Sequence, residues 1–503
     1  EELTAFGYLT YPINGNYPNW FYSPLTKQVF QDTKKPWFQI PDFDGNVGDI
    51  KGVWEASRFD WLLDFVRKEK VLQNNETLYA LDEWLNDWCR HNPAYSGPNW
   101  KCGQETSIRI MHLITALLGL DRLHEANENI ISLLEVHLQR VEPTIDYAIA
   151  QDNNHGTSEA TALFIGGSLL HALKPLTRYK KWADLGRKWL ENRASKLIMQ
   201  DGGFSQYSVN YHRVMLDSYC LAEIVRRRLN LPLFSGQLYS QLQKAVNWLY
   251  ILVQGNGDAP NLGANDGARL LPVCNTGYRD FRPTIQLGST LFHGHSFYQE
   301  QGSYDEMLDF FSIQKKKISD FQLPDKNQIF AQSGLITAQN DDFFLSFKLP
   351  VFKFRPSQCD ALHLDVWWNG QNILRDGGSY SYNSTQEDLV YFSGVASHNT
   401  VQFDNHQQMP RLSRFLFGAW LQPSYLSYEL DKFSCGYKDY WGCQHNRKIS
   451  LSEKQIHVED RIAGFKDQAV LRWRLQPDEW TLKNNVLSNG KISITVQSNE
   501  HVT

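Results

Sequence analysis

The sequence predicts two folded domains, an incomplete (α/α) toroid followed by an antiparallel β-sandwich. From about residue 54 to 253, apolar side chains recur every three or four positions, which is typical of consecutive amphipathic helices with short links. Beyond about residue 318 the period becomes two, which is typical of strands. A length of 503 residues also exceeds what one hydrophobic core usually organises.

The domain boundaries follow from these changes of pattern. Residues 1–50 are rich in Pro, Gly, Asn and aromatic residues without a sustained period, and predict an extended arm that packs by its rings. We assign 51–315 to the toroid and 316–503 to the sandwich. The helical segments are predicted at 61–66, 78–89, 105–120, 127–141, 159–173, 179–199, 211–229 and 238–253. The strands are predicted at 343–349, 363–368, 372–375, 400–403, 448–451, 455–459 and 492–496.

A loop at 254–267 interrupts the helical run. It holds four glycines and a proline, which cannot continue a helix. Such a loop is usually a connector, but its Asn and Asp content also suits the rim of a cleft, and Asn265 is therefore a binding candidate.

The net charge and the residue composition argue against some classes of protein. A net charge of −5 argues against non-specific binding to nucleic acid. The 16 Trp and 23 Tyr suit sugar faces, but they also suit large helical cores. The seven cysteines follow no zinc-ribbon spacing and predict free thiols, and no apolar run reaches the roughly 18–20 residues of a membrane span. The first residue is glutamate, which favours a processed periplasmic or secreted protein over a cytoplasmic one.

Two polar segments stand out between residues 151 and 212. One covers 153–159 and the other 201–212, and each precedes a predicted helix. Helix starts leave backbone N–H groups unpaired and favour anions. Phosphate-loop, Gly-x-Ser-x-Gly and His-Glu-x-x-His motifs are absent. We interpret the two segments as one half of an active site for an acidic substrate.

The order of several motifs resembles the heparinase II/III-like polysaccharide lyases, including the related alginate lyases. The motifs are Asn-Asn-His-Gly at 153–156, Asp-Gly-Gly at 201–203 with Tyr-His at 211–212, Asp-Ala-Leu at 360–362, Asp-Gly-Gly-Ser-Tyr at 376–380 and Ser-His-Asn-Thr-Val at 397–401. The resemblance implies a toroid, a β-sandwich and, between them, a cleft that cleaves uronic-acid polysaccharides by β-elimination.

Elimination from a uronic acid requires three groups. The carboxylate must be neutralised, a base must take the C5 proton, and an acid must protonate the departing O4. Asn154 and His155 can hold the carboxylate, and the resemblance assigns Tyr211 as base or acid. A phenol with a pKa of about 10 must be made more acidic for this role, and a protonated His155 or His212 or nearby arginines would do so. Alternatively, Asn154 caps a helix, Tyr211 belongs to the core and His212 is structural.

Further substrate contacts are expected from both halves. Trp100 and Arg109 lie in a segment that resembles a cleft-facing helix, although Glu105 and Arg109 also form an ordinary i, i+4 pair. Gln206 and His212 belong to the second polar segment. Arg355 precedes the altered β-domain motif and suits a bidentate clamp on a carboxylate.

The β half departs from the pattern of its relatives. They carry His-x-His-Ala-Asp, whereas this chain has Pro-Ser-Gln-Cys-Asp at 356–360. Asp376 and His398 remain as metal ligands, Gln358 can offer an amide oxygen, and His363 lies further along the strand. We therefore expect a structural divalent metal, zinc or calcium, held by Asp376, His398 and Gln358, and no organic cofactor. Alternatively, Asp376 forms a turn and His398 hydrogen-bonds within the sandwich.

The missing histidine also leaves the second acid/base group open. Tyr380, Tyr382 and Tyr391 are its possible replacements, and the sequence does not choose among them.

The sequence thus predicts a lyase whose partner is an acidic polysaccharide, and no nucleic acid. The segment at 360–365 together with Gln358 looks like the branch found beside bacterial capsule and exopolysaccharide genes, so a bacterial glycan is expected. The alternatives are a glycan-binding or assembly protein that has lost turnover, and a toroid glycoside hydrolase. A hydrolase needs two carboxyl groups, and its candidates are Glu105, Asp201, Asp258 and Asp266.

Overall fold

A computed structural model describes residues 3–5, 9–318, 321–380, 385–429 and 431–499. Short strands of the N-terminal arm pair as antiparallel hairpins. They are β1 (Leu3–Ala5), β2 (Leu9–Tyr11), β3 (Ile13–Asn14), β4 (Tyr17–Pro18), β5 (Tyr22–Ser23), β6 (Gln28–Val29), β7 (Phe43–Asp44) and β8 (Gly48–Asp49). Aromatic side chains attach the arm to the helical domain. Trp20 is buried in the helical core, and its indole N–H donates to Asp87 at 2.8 Å.

Successive helices form the next layer of the chain. They are α1 (Lys51–Trp54), α2 (Trp61–Leu72), α3 (Glu76–His91), α4 (Gly103–Gly119), α5 (Glu128–Val141), α6 (Ile145–Ala150), α7 (Asn154–Leu173), α8 (Thr177–Leu197), α9 (Val209–Arg228), α10 (Gly236–Leu252), α11 (Arg282–Gly288) and α12 (Glu306–Phe310). The predicted loop at 254–267 contains neither helix nor strand.

Helix α7 is central because it is buried on nearly every face, as expected of a helix with no continuous polar stripe. It packs closely against α8 at two glycines. A Cβ on Gly186 would lie 2.2 Å from the backbone nitrogen of Phe164, and one on Gly167 would lie 2.5 Å from that of Ala183. Small residues are therefore required at this crossing, which holds α7 close against α8.

The C-terminal domain is an antiparallel sandwich, as predicted. One sheet has the order β13-β12-β11-β10-β9, and the other has β17-β18-β19-β20. The strands of these sheets are β9 (Gln328–Phe330), β10 (Leu335–Gln339), β11 (Phe343–Lys348), β12 (Leu364–Trp368), β13 (Gln371–Leu374), β17 (Pro423–Glu429), β18 (Lys432–Lys438), β19 (Gln444–Leu451) and β20 (Ile456–Ala463). Alternate residues of the two sheets, such as Phe347 and Phe433, form the core between them.

Smaller elements complete this domain. They are β14 (Val401–Phe403) paired with β21 (Ala469–Leu471), β15 (Arg411–Ser413) paired with β16 (Leu416–Phe417), the hairpins of β22 (Thr481–Lys483), β23 (Val486–Ser488) and β24 (Ser493–Thr495), and helix α13 (Gln386–Ser393). All seven cysteines are free thiols, as predicted. Within the described ranges, none of the helices has the length and apolarity needed to cross a bilayer.

Candidate active site

A cavity of about 380 Å³ lies where the arm, the helical domain and the sandwich meet. Each of the three parts supplies side chains to its wall, and most of them are polar. They include Asp42, Phe43 and Asp49 of the arm, Lys51, Gln104, Glu105, Asn154, His155, Gln206, Tyr211 and Asp266 of the helical domain, and Arg355, Gln358, Ser379, Tyr380 and Arg414 of the sandwich.

Asn154 is held in the cavity wall rather than acting as a helix cap. The cap of α7 is Asn153, whose side-chain oxygen accepts the N–H of His155 at 3.0 Å. The Asn154 amide donates to Gln104 Oε1 at 3.1 Å, and its backbone N–H donates to Gln206 Oε1 at 2.8 Å. The amide therefore has a fixed orientation at the start of a helix, where an anion is favoured.

His155 is a neutral imidazole at neutral pH. Burial lowers its pKa to about 4, and the opposing influence of Glu105 and Asp266 does not restore it. The expectation that a protonated His155 or His212 acidifies Tyr211 is therefore wrong, because burial also lowers the pKa of His212 to about 4. His155 can offer a ring N–H or a lone pair to a substrate, but not a positive charge.

Tyr211 lies in the first turn of α9, which Ser208 caps by accepting the N–H of Tyr211 at 3.2 Å. Its side chain lines the cavity although the residue is only 6% exposed. Two helix starts, those of α7 and α9, thus carry Asn154, His155 and Tyr211 to one wall.

Two carboxylates of the cavity are ionised and paired. Lys51 contacts Asp266 Oδ2 at 2.7 Å, and Arg58 binds both oxygens of Glu105 at 2.7 and 2.8 Å. Burial opposes ionisation, but Lys51 and Arg58 hold the pKa of Asp266 at about 2, and Arg58 lowers that of Glu105. Neither group is available as a protonated acid near neutral pH.

Arg355 faces the cavity from the sandwich and is exposed. No hydrogen bond ties its guanidinium to another part of the described chain. The segment before it is pinned to the helical domain, because the Tyr207 hydroxyl oxygen accepts the backbone N–H groups of Lys353 and Phe354 at 2.7 and 2.9 Å. No pattern in the sequence indicates this role for Tyr207.

The arm and the sandwich touch beside the cavity. The guanidinium carbon of Arg414, in the turn between β15 and β16, lies 4.3 Å from the ring centroid of Phe43 in β7. Both residues line the cavity, so this contact bridges two of its walls.

Family models match both parts of this architecture. The model described as the heparinase II/III N-terminus matches residues 8–274, which is more than half of the chain. The model described as the heparinase II/III-like C-terminal region matches residues 324–502.

The chain belongs to the heparinase II/III-like family.

Individual relatives are distant. A protein of Bacteroides thetaiotaomicron described as heparin-sulfate lyase is 22% identical over an alignment of 376 residues that covers 69% of this chain and 51% of the relative. The chain therefore spans about half the length of that curated relative. Among solved structures, heparinase III superposes with a TM-score of 0.63 at 17% identity, covering 93% of this chain and 72% of that one. Heparan sulfate lyase HepC from Pedobacter heparinus gives 0.53 at 18%, covering 90% and 68%. These structures support the fold.

The altered motif of this heparinase II/III-like chain leaves a buried polar cluster in the sandwich. His398 Nδ1 contacts Asp376 Oδ2 at 2.8 Å, and His363 Nε2 lies 3.6 Å from the same oxygen. These three residues can present donor atoms within 4.8 Å of one another. His363 is the third member of this cluster. The Gln358 amide N–H contacts Gly378 O at 3.4 Å, its Oε1 is buried without a hydrogen-bond partner among the described residues, and the residue lines the cavity. The predicted ligand set of Asp376, His398 and Gln358 stays a prediction.

Two predicted substrate contacts lie in the helical core instead. Trp100 and Arg109 are each 1% exposed, and neither lines the cavity. The Trp100 indole donates to Asn92 O at 3.1 Å. Arg109 donates to His137 at 2.9 Å and lies over the Trp100 ring at 5.3 Å, so the pair stabilises the core rather than meeting a ligand.

His212 and Asn265 also turn away from the cavity. His212 is fully buried, stacks on Trp248 at 4.5 Å between centroids, and bonds to Ala245 O at 2.9 Å. This confirms the structural alternative for His212. The Asn265 side-chain oxygen accepts the Tyr278 hydroxyl at 2.7 Å, so it braces the loop at 254–267.

The tyrosine candidates for the second acid/base group now differ in position. Tyr380 lines the cavity, whereas Tyr391 accepts a hydrogen bond from Arg474 outside it. Tyr382 lies outside the described residues. Lys51 and Gln104 line the cavity without having been predicted, because they come from segments with no motif of their own; Asp266, expected only as a hydrolase carboxyl, lines it too.

Proposed function

We propose that the chain is a polysaccharide lyase that cleaves a uronic-acid-containing glycan, of bacterial origin, by β-elimination. The observation that carries this proposal is the shared cavity lined by Tyr211, Asn154, His155 and Arg355. Membership of the heparinase II/III-like family and the name of the curated relative support the same class of reaction.

The substrate carboxylate is neutralised first. The oriented Asn154 amide and a ring N–H of neutral His155 donate to it, and Arg355 supplies the positive charge. Withdrawing charge from the carboxylate makes the C5 proton more acidic, because the enolate-like state that follows its removal is stabilised.

Tyr211 then acts on the C5 proton. The ammonium of Lys51 and the guanidinium of Arg355 line the same cavity and are the positive groups that would stabilise a phenolate there. The phenolate takes the proton, the C4–C5 double bond forms, the C4–O4 bond breaks, and the departing O4 takes a proton from Tyr211 or Tyr380.

The carboxylates argue against the hydrolase alternative. Hydrolysis requires one protonated and one ionised carboxyl flanking the bond. Glu105 and Asp266 are both held ionised by basic partners. Asp201 and Asp258 lie outside the cavity wall; Asp201 accepts backbone N–H groups from the sandwich, and Asp258 pairs with Arg279.

The polar cluster of His363, Asp376 and His398 is where a structural divalent ion would bind. The buried Nε2 of His363 has no hydrogen-bond partner among the described residues, which fits an ion beside the Asp376 carboxylate. The backbone N–H of Asn399 donates to His363 Nδ1 at 2.9 Å, however, which places the ring proton on Nε2. For His363 Nε2 to bind an ion, the ring proton must move to Nδ1, and the hydrogen bond from Asn399 is then lost. We therefore expect this cluster to bind a divalent ion only weakly.

The test uses purified protein and a panel of uronic-acid polysaccharides, with the ultraviolet absorbance of unsaturated uronate as the readout. Tyr211→Phe should lower turnover by roughly 10²–10⁴-fold while glycan binding persists. Tyr239→Phe is the matched control, since its hydroxyl donates to Glu223 away from the cavity.

Each outcome separates the alternatives. Full activity of Tyr211→Phe would refute the assignment of the base. Binding without new double bonds would favour a glycan-binding protein, and products heavier by one water, measured by mass spectrometry, would favour a hydrolase.

A further inference from the structure

A second cluster of metal-binding side chains lies in the sandwich, apart from the cavity. Asp404, His406 and Cys443 each offer one donor atom, and these atoms lie within 4.8 Å of one another. None of the three lines the cavity. We call this group the Cys443 cluster.

Two turns bring the cluster together. After β14 ends at Phe403, Asp404 and Asn405 have φ values of 45° and 60°, and the N–H of His406 returns to Phe403 O at 2.9 Å. This tight turn brings Asp404 and His406 close together. Cys443 ends the turn between β18 and β19, where Asp439 Oδ1 accepts its N–H at 2.9 Å.

The imidazole of His406 is oriented as a metal ligand requires. Its Nδ1 donates to Gln407 O at 3.0 Å, so the lone pair lies on Nε2. That nitrogen is 3.8 Å from Cys443 Sγ. In a tetrahedral zinc site, with Zn–N of about 2.0–2.1 Å and Zn–S of about 2.3 Å, the two atoms are roughly 3.6 Å apart. The ring of Trp441 stacks on His406 at 4.2 Å and holds it in place.

The charges around the cluster favour a cation. Three backbone N–H groups, those of Lys466, Asp467 and Gln468, donate to the Asp404 carboxylate and fix its orientation. Asp439 Oδ2 is buried without a hydrogen-bond partner among the described residues and lies 4.0 Å from His406 Nδ1. The Asp404 carboxylate and the Cys443 thiol therefore face a common small space, with a second carboxylate, Asp439, on the other side of the His406 ring.

We propose that Asp404, His406 and Cys443 bind a divalent ion of the zinc class, with water as the fourth ligand. The Cys443 thiol loses its proton to solvent on binding, so the Asp404 carboxylate and the thiolate together balance the charge of the ion. The His406 side chain is 20% exposed and gives the ion a path to the site. The ion would join the β14–β21 pair to the β18–β19 turn, a structural role that does not depend on the proposed lyase reaction.

Cobalt substitution tests the proposal directly. The 503-residue chain is freed of metal by a chelator, dialysed and titrated with Co²⁺ and, separately, with Zn²⁺. We expect a thiolate-to-cobalt charge-transfer band and a melting temperature that rises with zinc. The cluster of His363, Asp376 and His398 contains no thiol, so ion binding there cannot produce that band.

Variants show which cysteine produces the charge-transfer band. Cys443→Ser should abolish it, whereas Cys435→Ser should leave it unchanged, because Cys435 lies in the sandwich core outside both clusters. His406→Gln changes a partly exposed ring and should weaken cobalt binding by roughly tenfold or more while keeping the band at higher cobalt. Absence of the band in the unaltered chain at saturating cobalt would overturn the proposal, as would its persistence in Cys443→Ser. If Cys443→Ser does not fold, an unchanged cobalt affinity in His406→Gln would also overturn the proposal.

Discussion

Replacing Tyr207 by phenylalanine should loosen the segment that carries Arg355. The Tyr207 hydroxyl oxygen accepts two backbone N–H groups from the sandwich, those of Lys353 and Phe354. The ring would keep its place, since it packs edge-on against Phe352 at 5.7 Å and under the Lys348 ammonium at 4.5 Å. The substitution therefore removes one oxygen and little else.

The expected magnitude follows from the burial of the two donors. Phe354 is 9% exposed, and leaving a buried N–H unpaired costs about 1–3 kcal/mol. Lys353 is exposed, so its N–H can turn to water at little cost. The free energy of unfolding should fall by about 1–3 kcal/mol. If Arg355 loses about 1.4 kcal/mol of carboxylate binding, KM rises roughly tenfold, with a smaller change in kcat.

The assay combines denaturant unfolding with steady-state kinetics on a glycan that the unaltered chain cleaves. Tyr219→Phe is the control, because its hydroxyl donates to Leu190 O within the helical domain at 2.9 Å. The control should lose stability without a change in KM. A Tyr207→Phe variant whose KM equals that of the unaltered chain would refute the positioning role.

Three other changes test the charges of the molecule. Glu105→Gln leaves the Arg58 guanidinium without its bidentate partner and should lower the free energy of unfolding by about 3 kcal/mol, as denaturant titration would measure; an unchanged value would contradict the pairing. Burial keeps the pKa of His212 at about 4, below its value of about 6.5 in the unfolded chain. Because the unfolded chain therefore takes up a proton first, the free energy of unfolding falls as the pH drops from about 6.5 to about 4. His212→Gln should remove about 3 kcal/mol of this fall between neutral pH and pH 4, as urea unfolding at each pH would measure. An equal fall in His212→Gln and in the unaltered chain would contradict a buried, neutral His212 ring. His398→Ala should lower the content of divalent metal found by elemental analysis, and equal metal in both proteins would show that this cluster binds none.

The sequence predicted the fold better than the orientation of side chains. Periodicity located the helices and strands, and polar residues at helix starts indicated Asn154, His155 and Tyr211, which do line one cavity. Helix α4 shows the limit of that approach. Almost all of its residues are buried, so an amphipathic pattern could not tell which face meets the cavity, and Arg109 was assigned to the wrong one.

The charge state of the site also lay beyond the sequence. A histidine is near its titration point in water, and only burial decides that His155 is neutral. In the same way, Lys51 and Asp266 are far apart along the chain and have no motif, yet they meet at 2.7 Å. Long-range pairing of this kind has no signature in a single sequence.

The contact between Phe43 and Arg414 joins the N-terminal arm to the sandwich where both line the cavity. If the chain cleaves a glycan as proposed, a strand that enters from this side would meet that ring and that guanidinium. Substitutions at either position would then change access to the cavity without replacing Asn154, His155 or Tyr211.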